Sequence, residues 1–73
     1  MRNIQELERL MERLEQAGRL HEALNKDGKI QPSQSAVQHV QATHANKTDA
    51  EKWRLAQAQT ILDLARKYQI TLN

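Results

Sequence analysis

The stretch from Thr48 to Tyr68 does most to limit what this chain can fold into. Thr48-Asp49-Ala50-Glu51 reads as a capping box. The Thr48 hydroxyl can accept the Glu51 N–H, and the Glu51 carboxylate can reach back to the Thr48 N–H. Asp49 and Glu51 place negative charge at the positive end of the helix dipole, and Arg66 and Lys67 place positive charge at the other end. No Gly or Pro interrupts the run. At 100° per residue its apolar side chains, from Leu55 and Leu62 round to Leu64 and Trp53, spread over an arc of ~200°. A helix lying on one neighbour needs about half that arc. The pattern therefore predicts a central helix held between two partners.

The rest of the chain supplies two unequal candidates. Residues 3–26 read as helical, with Ile4, Leu7, Leu10, Met11, Leu14 and Ala17 recurring at three- and four-residue steps. Asn3 suits the N-cap, with Glu6 three residues on. Glu15→Arg19 and Glu22→Lys26 have the favourable i,i+4 order. Gly18 interrupts this helix, and the apolar stripe moves by ~100° there, which predicts a kink or a break. Residues 16–24 resemble the inter-helix turn of a tetratricopeptide repeat, but no second copy follows, and the likeness implies no family. Asn25-Lys26-Asp27-Gly28 ends the segment, with Gly28 suited to a left-handed cap, and Pro32 blocks continuation.

Ile30 to Asn46 contains no Asp, Glu, Lys or Arg. Ser35-Ala36-Val37-Gln38 can act as a capping box and predicts a helix over 35–45 anchored by Val37 and Val40. The tail after Tyr68 alternates polar and apolar residues, and a docked extended segment covering the core edge with Ile70 and Leu72 is expected. The fold class is thus all-α: a small three-helix bundle with helices at about 3–26, 35–45 and 49–68, in a single domain spanning 1–73.

Seventy-three residues bury only ~60% of the unfolded surface, so help from a partner or a second copy is expected. There are no cysteines, which excludes disulfides and thiolate metal sites. No apolar run approaches the ~18 residues of a membrane span. The N-terminus turns acidic at once, unlike a signal peptide, and a cytoplasmic protein is expected. The formal charge of +2 is a near-cancellation of 11 basic and 9 acidic residues, without the one-sided footprint of an obvious nucleic-acid binder.

Catalytic chemistry finds little purchase. His39 and His44 are five apart and diverge by ~140° on a helix, so they do not share a metal. Ser33 and Ser35 are explained as caps, and two glycines do not make a phosphate loop. No enzyme, cofactor or metal is expected. Two binding readings remain. In the first, the chain is a small regulator, inhibitor or adaptor, of bacterial or phage type, that docks helices on a protein partner or a second copy. Its contact residues would be Gln38, His39 and Gln41 on the charge-free segment and Trp53, Leu55 and Leu62 on the central helix. Trp53 is otherwise expected in the core. In the second, residues 33–45 form a recognition helix of helix-turn-helix type, with Gln34, Ser35, Gln38 and Gln41 reading base edges. Against it, that helix lacks the Arg and Lys that supply phosphate affinity, and Asp49 and Glu51 lie just beyond.

Overall fold

Gly18 settles the first helix. The computed structural model, which describes residues 4–71, has α1 at Ile4–Gln16. Gly18 sits at φ +73°, a conformation that costs a side-chain-bearing residue about 1–2 kcal/mol. The Gly18 N–H donates to the Glu15 carbonyl at 2.9 Å and the Arg19 N–H to the Leu14 carbonyl at 2.9 Å. These two bonds form a Schellman cap, with Gly18 at C′. The expected helix over 3–26 is therefore broken, not kinked, and Asn3 lies outside the described residues.

Beyond the cap the chain makes one 3₁₀ turn, Leu20–Ala23, and then reverses. Leu24 and Ile30 form an antiparallel bridge. The Asn25 side chain accepts the N–H groups of Asp27 and Lys29 at 2.9 and 3.1 Å, and Gly28 turns the corner at φ +75°. Residues 24–26 are thus extended or in a turn. The i,i+4 pairings expected of Glu15 with Arg19 and of Glu22 with Lys26 lose their helical geometry. Arg19 lies 3.7 Å from Glu22 instead, and Glu22 lies 3.8 Å from Lys67.

The second helix, α2, spans Gln34–Thr43. Its N-cap is Ser33, whose hydroxyl accepts the Ala36 N–H at 3.1 Å, and not Ser35. The choice is made from outside the helix: the Ser33 N–H donates to the Thr60 hydroxyl at 2.9 Å, which fixes the entry of the chain two residues early. The third helix, α3, spans Asp49–Lys67 behind the expected capping box, with both Thr48 and Glu51 bonds formed.

The result is an all-α three-helix bundle with α3 as its spine. No Cα of α1 approaches α2; each packs on a different stretch of α3. Toward the C-terminal half of α3, Ile61 and Ala65 bury against Leu10, Leu14 and Ala23, with Leu7, Met11, Leu20, Ile30 and Ile70 around them. Toward its N-terminal half, Ala56 buries against Ala36 and Val40, flanked by Val37 and Leu55. The expected sandwich is present, but the two partners are stacked along the helix. At its far end Gln69 adopts φ +55°, and the Ile70 N–H closes on the Ala65 carbonyl at 2.8 Å. That second Schellman cap turns Ile70 onto the core; Leu72 lies outside the described residues.

Candidate functional site

Between the two clusters, polar groups on α3 hold the loop that leads into α2. Gln57 Nε2 donates to the Ile30 carbonyl at 3.0 Å. Thr60 Oγ1 accepts the Ser33 N–H and donates to the Ala56 carbonyl at 2.8 Å. Pro32 is buried in this loop. On α3, Trp53, Gln57, Thr60 and Leu64 form one row within ~60° of each other. The loop covers the row at Gln57 and Thr60. Trp53 lies one turn beyond, past the last of these bonds. It stays 48% exposed and is the large hydrophobic side chain left at the surface among the described residues. The expectation that Trp53 belongs to the core is corrected on this ground.

Beside Trp53 is an open hollow of about 250 Å³, floored by Val37, Val40 and Ala56 and rimmed by Gln41, Asp49 and Lys52. Val40 and Ala56 are also, with Ala36, the buried residues of the thinner cluster, so the hollow lies directly on that part of the core. The Ser33 cap orients α2 so that Gln34, Gln38 and Gln41 follow the exposed edge nearest this hollow. Glu51, one turn along from Lys47, holds the start of α3. Hydrogen bonds from the Thr48 hydroxyl and N–H keep its carboxyl below the usual carboxylate range, with a further contribution from the Lys47 charge.

The expected contact residues divide. Gln41 and Trp53 line one hollow, with Gln38 exposed on the adjoining edge. His39 is exposed but stands ~160° round α2 from Gln41. Leu55 and Leu62 share the flank of α3 roughly opposite Trp53 and are half-buried, Leu55 against Ala36, Val40 and Ala56 and Leu62 in the larger cluster. The hollow itself, and the roles of Asp49 and Lys52 at its rim, escaped the sequence reading. The signal available was Trp53 and Asp49 four residues apart on one face.

The residues of the recognition-helix reading, Gln34, Ser35, Gln38 and Gln41, are all exposed on α2. The segment before α2 is the bridged turn from Leu24 to Ile30, where a helix-turn-helix has its first helix. Elsewhere, Tyr68 ties the C-terminal end of α3 to the 3₁₀ turn. Its hydroxyl donates to the Glu22 carboxylate, and Arg19 lies 4.6 Å from its ring centre. That hydrogen bond, together with the charges of Lys67 and Arg19, holds the Glu22 carboxyl below its ordinary range. Among the described residues no three acidic, His or Cys side chains gather as metal ligands would, and no helix is long and apolar enough to cross a membrane. Compared with models of known families, with curated proteins and with solved structures, the chain matches none.

Proposed function

We propose that this protein is a non-enzymatic protein–protein interaction module, a small cytoplasmic regulator, inhibitor or adaptor, that docks through the α2–α3 face around Trp53. One observation carries the reading: the chain's single tryptophan is 48% exposed next to an apolar hollow. Burying an aromatic of this size removes 150–250 Å² from water, roughly 4–6 kcal/mol at ~25 cal/mol per Å². A folded monomer forgoes much of that, and tryptophan anchors protein interfaces out of proportion to its abundance. Gln38 and Gln41 beside it offer hydrogen bonds without a charge to desolvate.

DNA recognition through Gln34, Ser35, Gln38 and Gln41 is the weaker alternative. It would place uncharged side chains against phosphates, and nothing on α2 neutralises them. The test is photo-crosslinking in expressing cells, with the reactive group at Gln41 and, as a control, at exposed Glu8 on α1, a helix that makes no contact with α2. The Gln41 probe should trap a defined protein, and Trp53→Asp should abolish the product while preserving helical content. Trapping of nucleic acid, or equal yields from both positions, would defeat the reading.

A further inference from the structure

We infer that the partner of the Trp53 face is a second copy of this chain, related by a two-fold axis through the α2–α3 surface. The inference rests on the reading of that face as a protein contact and names its occupant. A two-fold contact needs one patch that is complementary to itself. This patch carries both halves of an apolar contact, the half-exposed ring of Trp53 and the hollow that it lines together with Val37, Val40 and Ala56. The exposed part of each ring can cover the hollow of the other copy.

The charges at the rim meet the same condition. Asp49 and Lys52, three residues apart, are the ionic groups that border the hollow. Among the described residues neither has an ion-pair partner within its own chain. A two-fold rotation brings Asp49 of one copy to Lys52 of the other, and the reverse, closing two pairs at once. A uniformly acidic or uniformly basic partner would satisfy one of the two and oppose the other. The remaining edge, Gln34, Gln38 and Gln41, is neutral. A net charge of +2 sets only a weak repulsion between copies. The side of the core beneath the patch is also the thinner one, built on Ala36, Val40 and Ala56, so it is the side that gains most from being covered.

Charge exchange tests this. Sedimentation equilibrium should find a concentration-dependent dimer of the wild-type chain. Asp49→Lys and Lys52→Asp should each weaken it by at least about tenfold, because each alone sets like charges against one another twice. An equimolar mixture of the two variants should recover dimer as a heterodimer, since only the mixed pair closes both contacts. Trp53→Ala should give a monomer with unchanged helical circular dichroism, which guards against Asp49→Lys failing to fold for want of its helix-end charge. A wild-type chain that stays monomeric throughout overturns the inference. If the Gln41 probe still traps another protein, the docking face itself stands; if it traps nothing, both fall. A dimer indifferent to all three substitutions uses another surface and overturns the inference as well.

Discussion

The Thr60 hydroxyl accepts the Ser33 N–H at 2.9 Å across 27 positions of the chain, and this bond determines where α2 lies. It fixes Ser33 as the helix cap and brings the chain onto α3 at Thr60. With the bond from Gln57 to the Ile30 carbonyl one turn away, it covers the row as far as Gln57 and leaves Trp53 exposed. Thr60 is 8% exposed and spends its own proton on Ala56, a back-bond that threonine makes readily inside helices.

Thr60→Val keeps the shape and adds a methyl group, so burial alone predicts a gain. The bond to Ser33 predicts the reverse, a loss of about 1–2 kcal/mol, since a partly buried N–H is left without its acceptor. Urea denaturation decides the sign. Exchange of the Ser33 and Ala36 amides with solvent should quicken in the same variant.

Gln69 holds a left-handed conformation at φ +55° in the position where helices favour glycine. Gln69→Gly should stabilise the fold by about 1 kcal/mol. Gly18→Ala, at φ +73° with open space around the added carbon, should cost about the same through backbone strain alone. Thermal melts of both variants should move in opposite directions.

The capping box carries an acid signature. The Glu51 carboxyl lies below its ordinary value of 4.5 because Thr48 hydrogen-bonds its charged form. A group depressed in the folded state stabilises above the unfolded value and loses that contribution as pH falls through the folded one. Stability should therefore decline below about pH 4.5. Glu51→Gln, which can still accept the Thr48 N–H, should flatten part of that decline. Glu22, lowered by Tyr68 and then by the charges of Lys67 and Arg19, contributes with the same sign, so Tyr68→Phe should flatten a further part. Denaturant midpoints measured between pH 3 and 7 would reveal both.

Leu14 is fully enclosed at 0% exposure among Leu10, Ala23, Ile61 and Ala65. Leu14→Ala should cost about 2–5 kcal/mol. That is a large share of the roughly 4–11 kcal/mol available to a chain of this length. Val40→Ala, in the thinner cluster, should cost about 2 kcal/mol, two methyl groups at ~0.8 kcal/mol each plus a small cavity term. A loss under about 1 kcal/mol at either site would contradict the burial of that side chain.

Much of α3 was legible in the residues themselves, because its caps, charges and unbroken apolar arc are local. The shift of the apolar stripe at Gly18 signals a kink or a break, and the structure has the break. What followed it was missed for the same local reason. The pattern from Leu20 to Lys26 suits a helix, but the Asn25 side chain and Gly28 favour a reversal that only the Ile30 bridge completes. Ser33 and Ser35 are equivalent as caps by type, and the bond that the Ser33 N–H donates to Thr60 separates them. The wide arc of α3 foretold more apolar surface than one neighbour covers. Which part stays bare depends on where the 30–33 loop is pinned, and Gln57 and Thr60 give no sign of that in sequence. The arc offers two flanks, Leu55 with Leu62 and Trp53 with Leu64, and of these the structure leaves Trp53 exposed and Leu55 and Leu62 half-buried; His39 is set apart from Gln41 by rotation about α2.

Acrylamide quenching of Trp53 fluorescence tests the central claim most directly, because this side chain is the only tryptophan and reports on its own burial. In dilute, folded protein the emission should be readily quenched. As the docking contact forms at rising protein concentration, quenching should fall and the emission should shift to shorter wavelength. A tryptophan already shielded in the dilute folded chain, or one equally quenched at every concentration and with every bound partner, would contradict the account.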